Sequence, residues 1–238
     1  MNVPTLFLAK SDVELLYIWY NATPEGKAII GLLVIFSIFA WSVMASKAMQ
    51  MRRATRMNEY FNDEFTKQKN VLSIAERNVD VDGCPNYAVY KTGATDVQGR
   101  LAASKKPGEL SLKSMEHIKR SLERAVSQEA LKLESGLILL AIAVSGAPFL
   151  GLLGTVWGVM SAFSYVAMKG NADLATMAPG VSAALITTVA GLLVAIPSMF
   201  GYNWLVHHLR VLTVELDNFA QEFVSRIENE FLKDESGP

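Results

Sequence analysis

Hydroxyl side chains set inside two long uncharged stretches are the residues of this sequence best placed to do chemistry. Ser145, Thr155, Ser161 and Ser164 fall within residues 135–168, and Ser182, Thr187, Thr188 and Ser198 within residues 174–206. A hydroxyl among apolar neighbours has two uses. It can bond the carbonyl four residues back in its own helix, the common fate of Ser and Thr in apolar helices. Or it can face a narrow interior and offer oxygen to an ion, or to a carboxyl brought by another chain. Thr155 and Thr188 are the pair to which the second use is assigned, with Ser182 and Thr187 adding hydroxyls beside them.

Neither stretch contains Asp, Glu, Lys or Arg. A charge at mid-membrane costs roughly 2.5–3.5 kcal/mol on insertion scales and marks an ion pathway when it is kept. A chain without one has no protonatable carrier of its own, so a second chain must supply it if ions are conducted. The rest of the sequence offers no Walker A loop, no HExxH, no metal-ligand spacing of Cys or His, and no Ser-His-Asp set. An enzyme, a bound metal or organic cofactor and a nucleic-acid partner are therefore not expected. His207 and His208 are adjacent, whereas a helical metal pair prefers i, i+4 spacing. Cys84 is the lone cysteine, which excludes an intrachain disulfide.

Three uncharged runs must position these groups. No charged residue occurs from Ala28 to Ser46, from Ser135 to Met168, or from Leu174 to Val206. About 20 apolar residues span the roughly 30 Å hydrocarbon core as a helix. The sequence therefore reads as an all-α membrane protein with three transmembrane helices, at 26–46, 135–168 and 174–206. Only Lys10, Lys27 and Lys169 of the 22 Lys and Arg lie in 1–27 or in the 169–173 turn. Lys47, Arg52, Arg53 and Arg56 directly follow the first span, and positive flanks stay cytoplasmic. This predicts an N-terminal amphipathic segment outside the cytoplasm over 1–25, a cytoplasmic helical region over 47–134 and a cytoplasmic C-terminal helix over 207–238. The basic cluster is also suited to anionic lipid.

Periodicity fills in the extensions. Met44, Ala48, Met51, Tyr60, Phe61 and Phe65 continue the first helix past the membrane. Asp82-Gly83-Cys84-Pro85 predicts a turn, 86–102 a short helix, and Lys105-Lys106-Pro107-Gly108 a second break. Leu112, Met115, Ile118, Leu122, Ala125, Val126 and Leu133 form a stripe expected to run without a break into span two. Leu205, Leu209, Leu212, Leu216, Phe219, Phe223, Ile227 and Phe231 form another, packing the tail on the 47–80 and 109–134 helices. Pro148 and Pro197 are candidate kinks.

Span one is bulky and suits lipid. Span two instead carries Gly146, Gly151, Gly154 and Gly158, followed by Ala162, and span three carries Gly180, Ala184, Thr188, Gly191 and Ala195. Small residues at this spacing let helices approach closely. Two such faces exceed the needs of one hairpin, which implies a homo-oligomer or a partner helix.

Two stretches resemble a known family. Ala147-Pro148-Phe149-Leu150-Gly151-Leu152-Leu153-Gly154-Thr155-Val156-Trp157-Gly158-Val159-Met160 is similar to the second-span signature of the ExbB/TolQ/MotA proton-channel family. Ala178-Pro179-Gly180-Val181 through Leu192, with Ala195-Ile196-Pro197 and Tyr202-Asn203, resembles its third-span signature, closest to the ExbB/TolQ branch. The resemblance implies a multi-pass protein of the bacterial inner membrane. It implies a homo-oligomeric ring, thought to be a pentamer, around an ExbD/TolR-like single-span partner whose membrane aspartate carries the ion. A TonB/TolA-like energy transducer is a further implied partner. The family's channel-lining threonines map onto Thr155 and Thr188. Many members place a glutamate five residues before the second threonine, where this chain has Ala183. That departure leaves H+ and Na+ both open as the ion.

The function implied is conversion of an ion-motive force into work for outer-membrane transport or envelope maintenance. A flagellar or gliding stator would use the same chemistry on another load, and a non-conducting scaffold of the same architecture is the alternative from a different class.

Overall fold

The computed structural model describes residues 23–77, 81–104, 108–170 and 174–232, with side chains of 174–176 excepted. The expected amphipathic segment lies almost wholly outside the described residues. Among the described residues six helices follow in order: α1 Pro24–Lys67, α2 Ser73–Glu76, α3 Pro85–Ala103, α4 Leu112–Glu134, α5 Leu137–Lys169 and α6 Leu174–Phe231. No strand occurs among the described residues. Three helices are long and apolar enough to cross a membrane: α1, α5 and the Met177–Phe231 part of α6. The fold is all-helical, as the uncharged runs require.

Contacts group the chain into two compact units. One comprises Met1–Ala45 and Gly136–Asn203, the other Ser46–Ser135 and Trp204–Pro238.

In the first unit, α1 starts where Thr23 caps it, its Oγ1 accepting the Gly26 N–H at 3.2 Å, and where Pro24 occupies a position that needs no donor. Leu33 of α1 is buried with Ala147 of α5 and Ala195 of α6, and Ile29, Leu150, Ala190 and Val194 pack around them. The opposite faces stay large and apolar: Ile38, Phe39, Phe149, Phe163, Leu193 and Phe200 are all more than half exposed. Such a surface is stable only against lipid or further protein. Pro148 and Pro197 both sit inside uninterrupted helix. Each lacks an N–H, so the carbonyl four residues earlier loses its helical partner.

The expectation of one continuous helix through residue 135 is corrected. α4 ends at Glu134 and α5 begins at Leu137, because Gly136 adopts φ 86°, the left-handed conformation that closes a helix. Periodicity missed this, since the apolar stripe continues across the break while the backbone does not.

The second unit is held by an aromatic cluster. Phe61 and Phe65 of α1, Tyr87 and Tyr90 of α3, and Phe219 and Phe223 of α6 meet edge-on or tilted between helices, while the pairs within α1 and within α6 stack. Ring centroids are 5.2 Å apart for Phe65–Phe219 and 5.1 Å for Tyr90–Phe223. Such pairs add about 0.5–1.5 kcal/mol each beyond their area burial. Tyr90 is fully buried, its hydroxyl donating to Val71 O at 2.9 Å and accepting from Ala75 N at 3.0 Å. Gly93 of α3 lets Leu122 and Phe223 approach, since a Cβ there would fall 2.6 Å from each. Arg226 lies over the Phe65 ring and donates to Phe65 O at 3.0 Å, satisfying a carbonyl near the end of α1.

The α4 stripe is buried at Met115, Ile118, Leu122, Ala125, Val126 and Leu133, and the α6 stripe at Leu205, Leu212, Leu216, Phe219, Phe223 and Ile227. Two expected core residues are corrected: Tyr60 and Leu112 are 72% and 75% exposed. Leu112 opens α4, one residue past its Ser111 cap, where no neighbouring turn covers it. Tyr60 follows Glu59 and precedes Phe61, which takes the buried position.

Three of the four cations after span one have protein partners. Lys47 Nζ donates to Leu133 O at 3.3 Å, Arg53 Nη2 donates to Asp82 O at 3.3 Å, and Arg52 lies 5.9 Å from the Trp204 ring centroid.

Candidate functional site

The α5–α6 hairpin is built on missing side chains. A Cβ on Gly158 would come 2.6 Å from Ala184 Cβ, one on Gly151 2.8 Å from Thr187 O, and one on Gly191 2.6 Å from Ala147 O. Gly180 faces Ala162 in the same way, at 3.2 Å. Real Cβ atoms essentially never come within 3.0 Å, and 3.2 Å is tight, so the helices approach this closely because the residues are small. Gly151, Gly158, Gly180 and Gly191 are thus spent inside the hairpin, whereas Gly146 has open space around it. The small residues packed inside the hairpin carry no argument for a homo-oligomer or a partner helix.

This close approach brings three threonines together. Thr155 stands one turn after Gly151 on α5, and Thr187 and Thr188 are neighbours on α6. The Thr155 and Thr188 hydroxyls meet directly across the hairpin. Thr155 Oγ1 is also 3.2 Å from Gly151 O, 3.2 Å from Ala184 O and 3.4 Å from Thr187 Oγ1. Thr187 Oγ1 reaches Ala184 O at 2.6 Å and Gly151 O at 3.0 Å, and Thr188 Oγ1 reaches Gly151 O at 3.3 Å. Three hydroxyls therefore share two carbonyl acceptors, one from each helix.

Exposure sorts the residues named from sequence. Thr187 is fully buried, Thr155 and Thr188 are half-buried, and Ser182 is exposed. Ala183, the position at which the family resemblance led to an expected glutamate, is buried beside Ala184. Ser145 and Ser198 bond the carbonyls four residues back, Ala141 O at 2.9 Å and Val194 O at 2.7 Å, as isolated hydroxyls in apolar helices do. Thr155 makes that local bond and the cross-helix bonds together. Spacing could place Thr155 and Thr188 as partners in principle; it could not show that both would compete for the same carbonyl oxygen.

The site can orient hydroxyl protons and offer oxygen to a cation or a carboxyl. It holds no titratable group, so it relays or coordinates rather than stores a proton. No cluster of His, Cys, Asp and Glu able to hold a metal occurs among the described residues. His208 instead bonds Trp204 O through Nδ1 at 2.9 Å and stacks on that indole. Cys84 is buried, its Sγ donating to Met57 O at 3.4 Å, and burial pushes its thiol above the usual range despite backbone N–H groups of Tyr87 and Asn86 nearby.

Comparison with known proteins covers the site. The model of the MotA/TolQ/ExbB proton channel family matches residues 95–218. The Tol-Pal system protein TolQ of Pseudomonas aeruginosa is 32% identical over 203 residues, 85% of this chain and 87% of that protein. The biopolymer transport protein ExbB of Xanthomonas campestris pv. campestris is 41% identical over 112 residues, 47% of this chain and 44% of that one. The ExbB of Neisseria meningitidis is 26% identical over 224 residues, 92% and 99% of the two chains.

Proposed function

The chain belongs to the MotA/TolQ/ExbB proton channel family, in its TolQ/ExbB branch, and is a membrane proton-channel subunit; from that premise we propose that it drives work in the cell envelope through the Thr155–Thr188 pair. In this reading the chain forms a ring, a pentamer in the family's manner, around a single-span partner of the ExbD/TolR kind. The partner contributes the membrane aspartate that carries the proton. The threonines line the path that the proton takes past it. A TonB- or TolA-like transducer then carries the motion to the outer membrane.

The observation that supports this most directly is the cross-helix cluster of Thr155, Thr187 and Thr188 on the Gly151 and Ala184 carbonyls. It is polar and uncharged, and it is held where two apolar helices approach closely. An uncharged path suits a mobile carboxylate, because it solvates the protonated and ionised forms without fixing either. Each elementary charge crossing 100 mV releases about 2.3 kcal/mol, which per ion is enough to bias a two-state movement. We take the bacterial inner membrane as the location. The first twenty or so residues then face the periplasm, and the helical extensions with most of the Lys and Arg face the cytoplasm. The ion in this reading is H+, after the family's description, with Na+ as the alternative that hydroxyl and carbonyl oxygens could also coordinate, and no bound cofactor is invoked.

The test is reconstitution. The chain is coexpressed with its genomically neighbouring single-span protein, and the complex is placed in vesicles with a pH-sensitive dye. Flux should require both chains and collapse in Thr155→Val and Thr188→Val, while the complex still purifies intact. Full flux in both variants would remove the threonines from the path. A complex that assembles but conducts no proton would favour the scaffold alternative, for which the buried Ala183 in place of a carboxylate is the specific support.

A further inference from the structure

Thr187 carries more than packing. Its hydroxyl has no surface, yet it stands where two carbonyls and a second hydroxyl converge. Gly154 leaves the room it occupies, because a Cβ there would lie 2.5 Å from Thr187 Oγ1.

The hydrogen-bonding capacity of the site closes on a count of protons. A carbonyl oxygen has two lone pairs. Within the helices, Gly151 O accepts from the Thr155 N–H and Ala184 O from the Thr188 N–H, so each has one lone pair left. Three hydroxyl protons remain to be placed. One lies between Thr155 and Thr188, one goes to Gly151 O and one to Ala184 O.

Two choices of Thr187 follow. When Thr187 donates to Gly151 O, the remaining acceptor is Ala184 O, which Thr155 reaches and Thr188 does not. Thr188 must then donate to Thr155, and Thr155 to Ala184 O. When Thr187 donates to Ala184 O, Gly151 O is open to either threonine at 3.2 or 3.3 Å, and the pair can point both ways. One rotation about the Thr187 C–O bond therefore switches the pair between a fixed and a reversible direction, with every buried donor satisfied in both.

We propose that Thr187 is a positioning residue for conduction: by choosing between the Gly151 and Ala184 carbonyls, its hydroxyl sets the direction in which the Thr155–Thr188 pair passes its proton. The inference rests on the reading of that pair as the ion path. A proton arriving at one hydroxyl oxygen is balanced by release of that oxygen's own proton to its neighbour. No heavy-atom bond changes and nothing is oxidised.

The experiment uses the full complex with its single-span partner in dye-loaded vesicles. Thr187→Ser and Thr187→Ala both lose the methyl group and differ by one oxygen, so they separate the hydroxyl from the packing. Thr187→Ser should conduct within about twofold of the wild type, and Thr187→Ala about tenfold less, the worth of one hydrogen bond. Equal flux in the two variants, whether normal or low, overturns the proposal. Thr155→Val is run beside them. If it is silent while the Thr187 variants are equal, the role of Thr187 fails alone; if it conducts normally, the ion path fails and this inference with it.

Discussion

Gly154 and Thr187 occupy one volume between them: a Cβ on the glycine would come 2.5 Å from the threonine Oγ1. The same oxygen reaches Gly151 O and Ala184 O, so it cannot yield without losing a buried hydrogen bond. Gly154→Ala is therefore expected to destabilise the hairpin by about 1–3 kcal/mol, the usual cost of overpacking. Thermal unfolding of the purified chain in detergent checks this. Gly146→Ala is the matched control, because open space surrounds that position and little change is expected.

Removing one hydroxyl from the cross-helix cluster should cost little stability. In Thr155→Val the two remaining hydroxyls reach one carbonyl each, Thr187 at Ala184 O and Thr188 at Gly151 O. In Thr188→Val, Thr187 and Thr155 do the same. What either variant loses is the Thr155–Thr188 bond, worth about 0.5–1.5 kcal/mol. The two should accordingly unfold at similar temperatures, although both silence proton flux. A melting temperature far lower in one than in the other would contradict the assignment of acceptors.

Tyr90→Phe tests the second unit. The ring stays in the aromatic cluster, but Val71 O and Ala75 N lose their common partner. Destabilisation of about 1–3 kcal/mol is expected, read as a shift in the urea midpoint. An unchanged midpoint would mean that water replaces the hydroxyl.

Cys84 gives a pH dependence with a definite sign. Burial raises its pKa in the folded chain, so above the ordinary thiol value of about 8.5 the unfolded chain loses its proton first. The folded state then binds more protons, and stability falls as pH rises. Below that value the group contributes no slope. Unfolding midpoints measured from pH 7 to 10 should decline more steeply in the wild type than in Cys84→Ala. Native Cys84 should also resist alkylation at neutral pH and react once the chain is unfolded.

Gly93→Ala is expected to separate α3 from its neighbours. The added methyl would meet Leu122 and Phe223 side chains at 2.6 Å, and because both are flexible the cost should lie nearer 1 than 3 kcal/mol. A near-normal fold by circular dichroism with a lowered midpoint is the expected result.

Much of the architecture is legible in the order of residues. The uncharged runs, the stripe from Leu205 to Ile227 and the turn at Asp82-Gly83 depend on local composition and period, which tertiary contacts rarely reverse over such lengths. What misleads is also local. The stripe crosses Ser135 and Gly136 without a gap, and no period can report a single left-handed glycine. Tyr60 and Leu112 have the right type and nearly the right spacing, but burial belongs to whatever stands opposite. The three- and four-residue steps of Gly151, Gly154 and Gly158, and of Gly180, Ala184, Thr188 and Gly191, announce close helix contacts without naming the partner.

By itself the sequence determined that three uncharged segments are long and apolar enough to cross a membrane, and that Thr155 and Thr188 are their polar candidates. Hydropathy and charge act through solvent transfer, which each segment undergoes whatever its neighbours are. Only the tertiary structure decided that the two small-residue faces close on each other, and that Thr187 is buried at the same carbonyls as Thr155. Those outcomes are settled by the register between α5 and α6. Register depends on pairs of residues 29 to 37 positions apart, which no local pattern encodes.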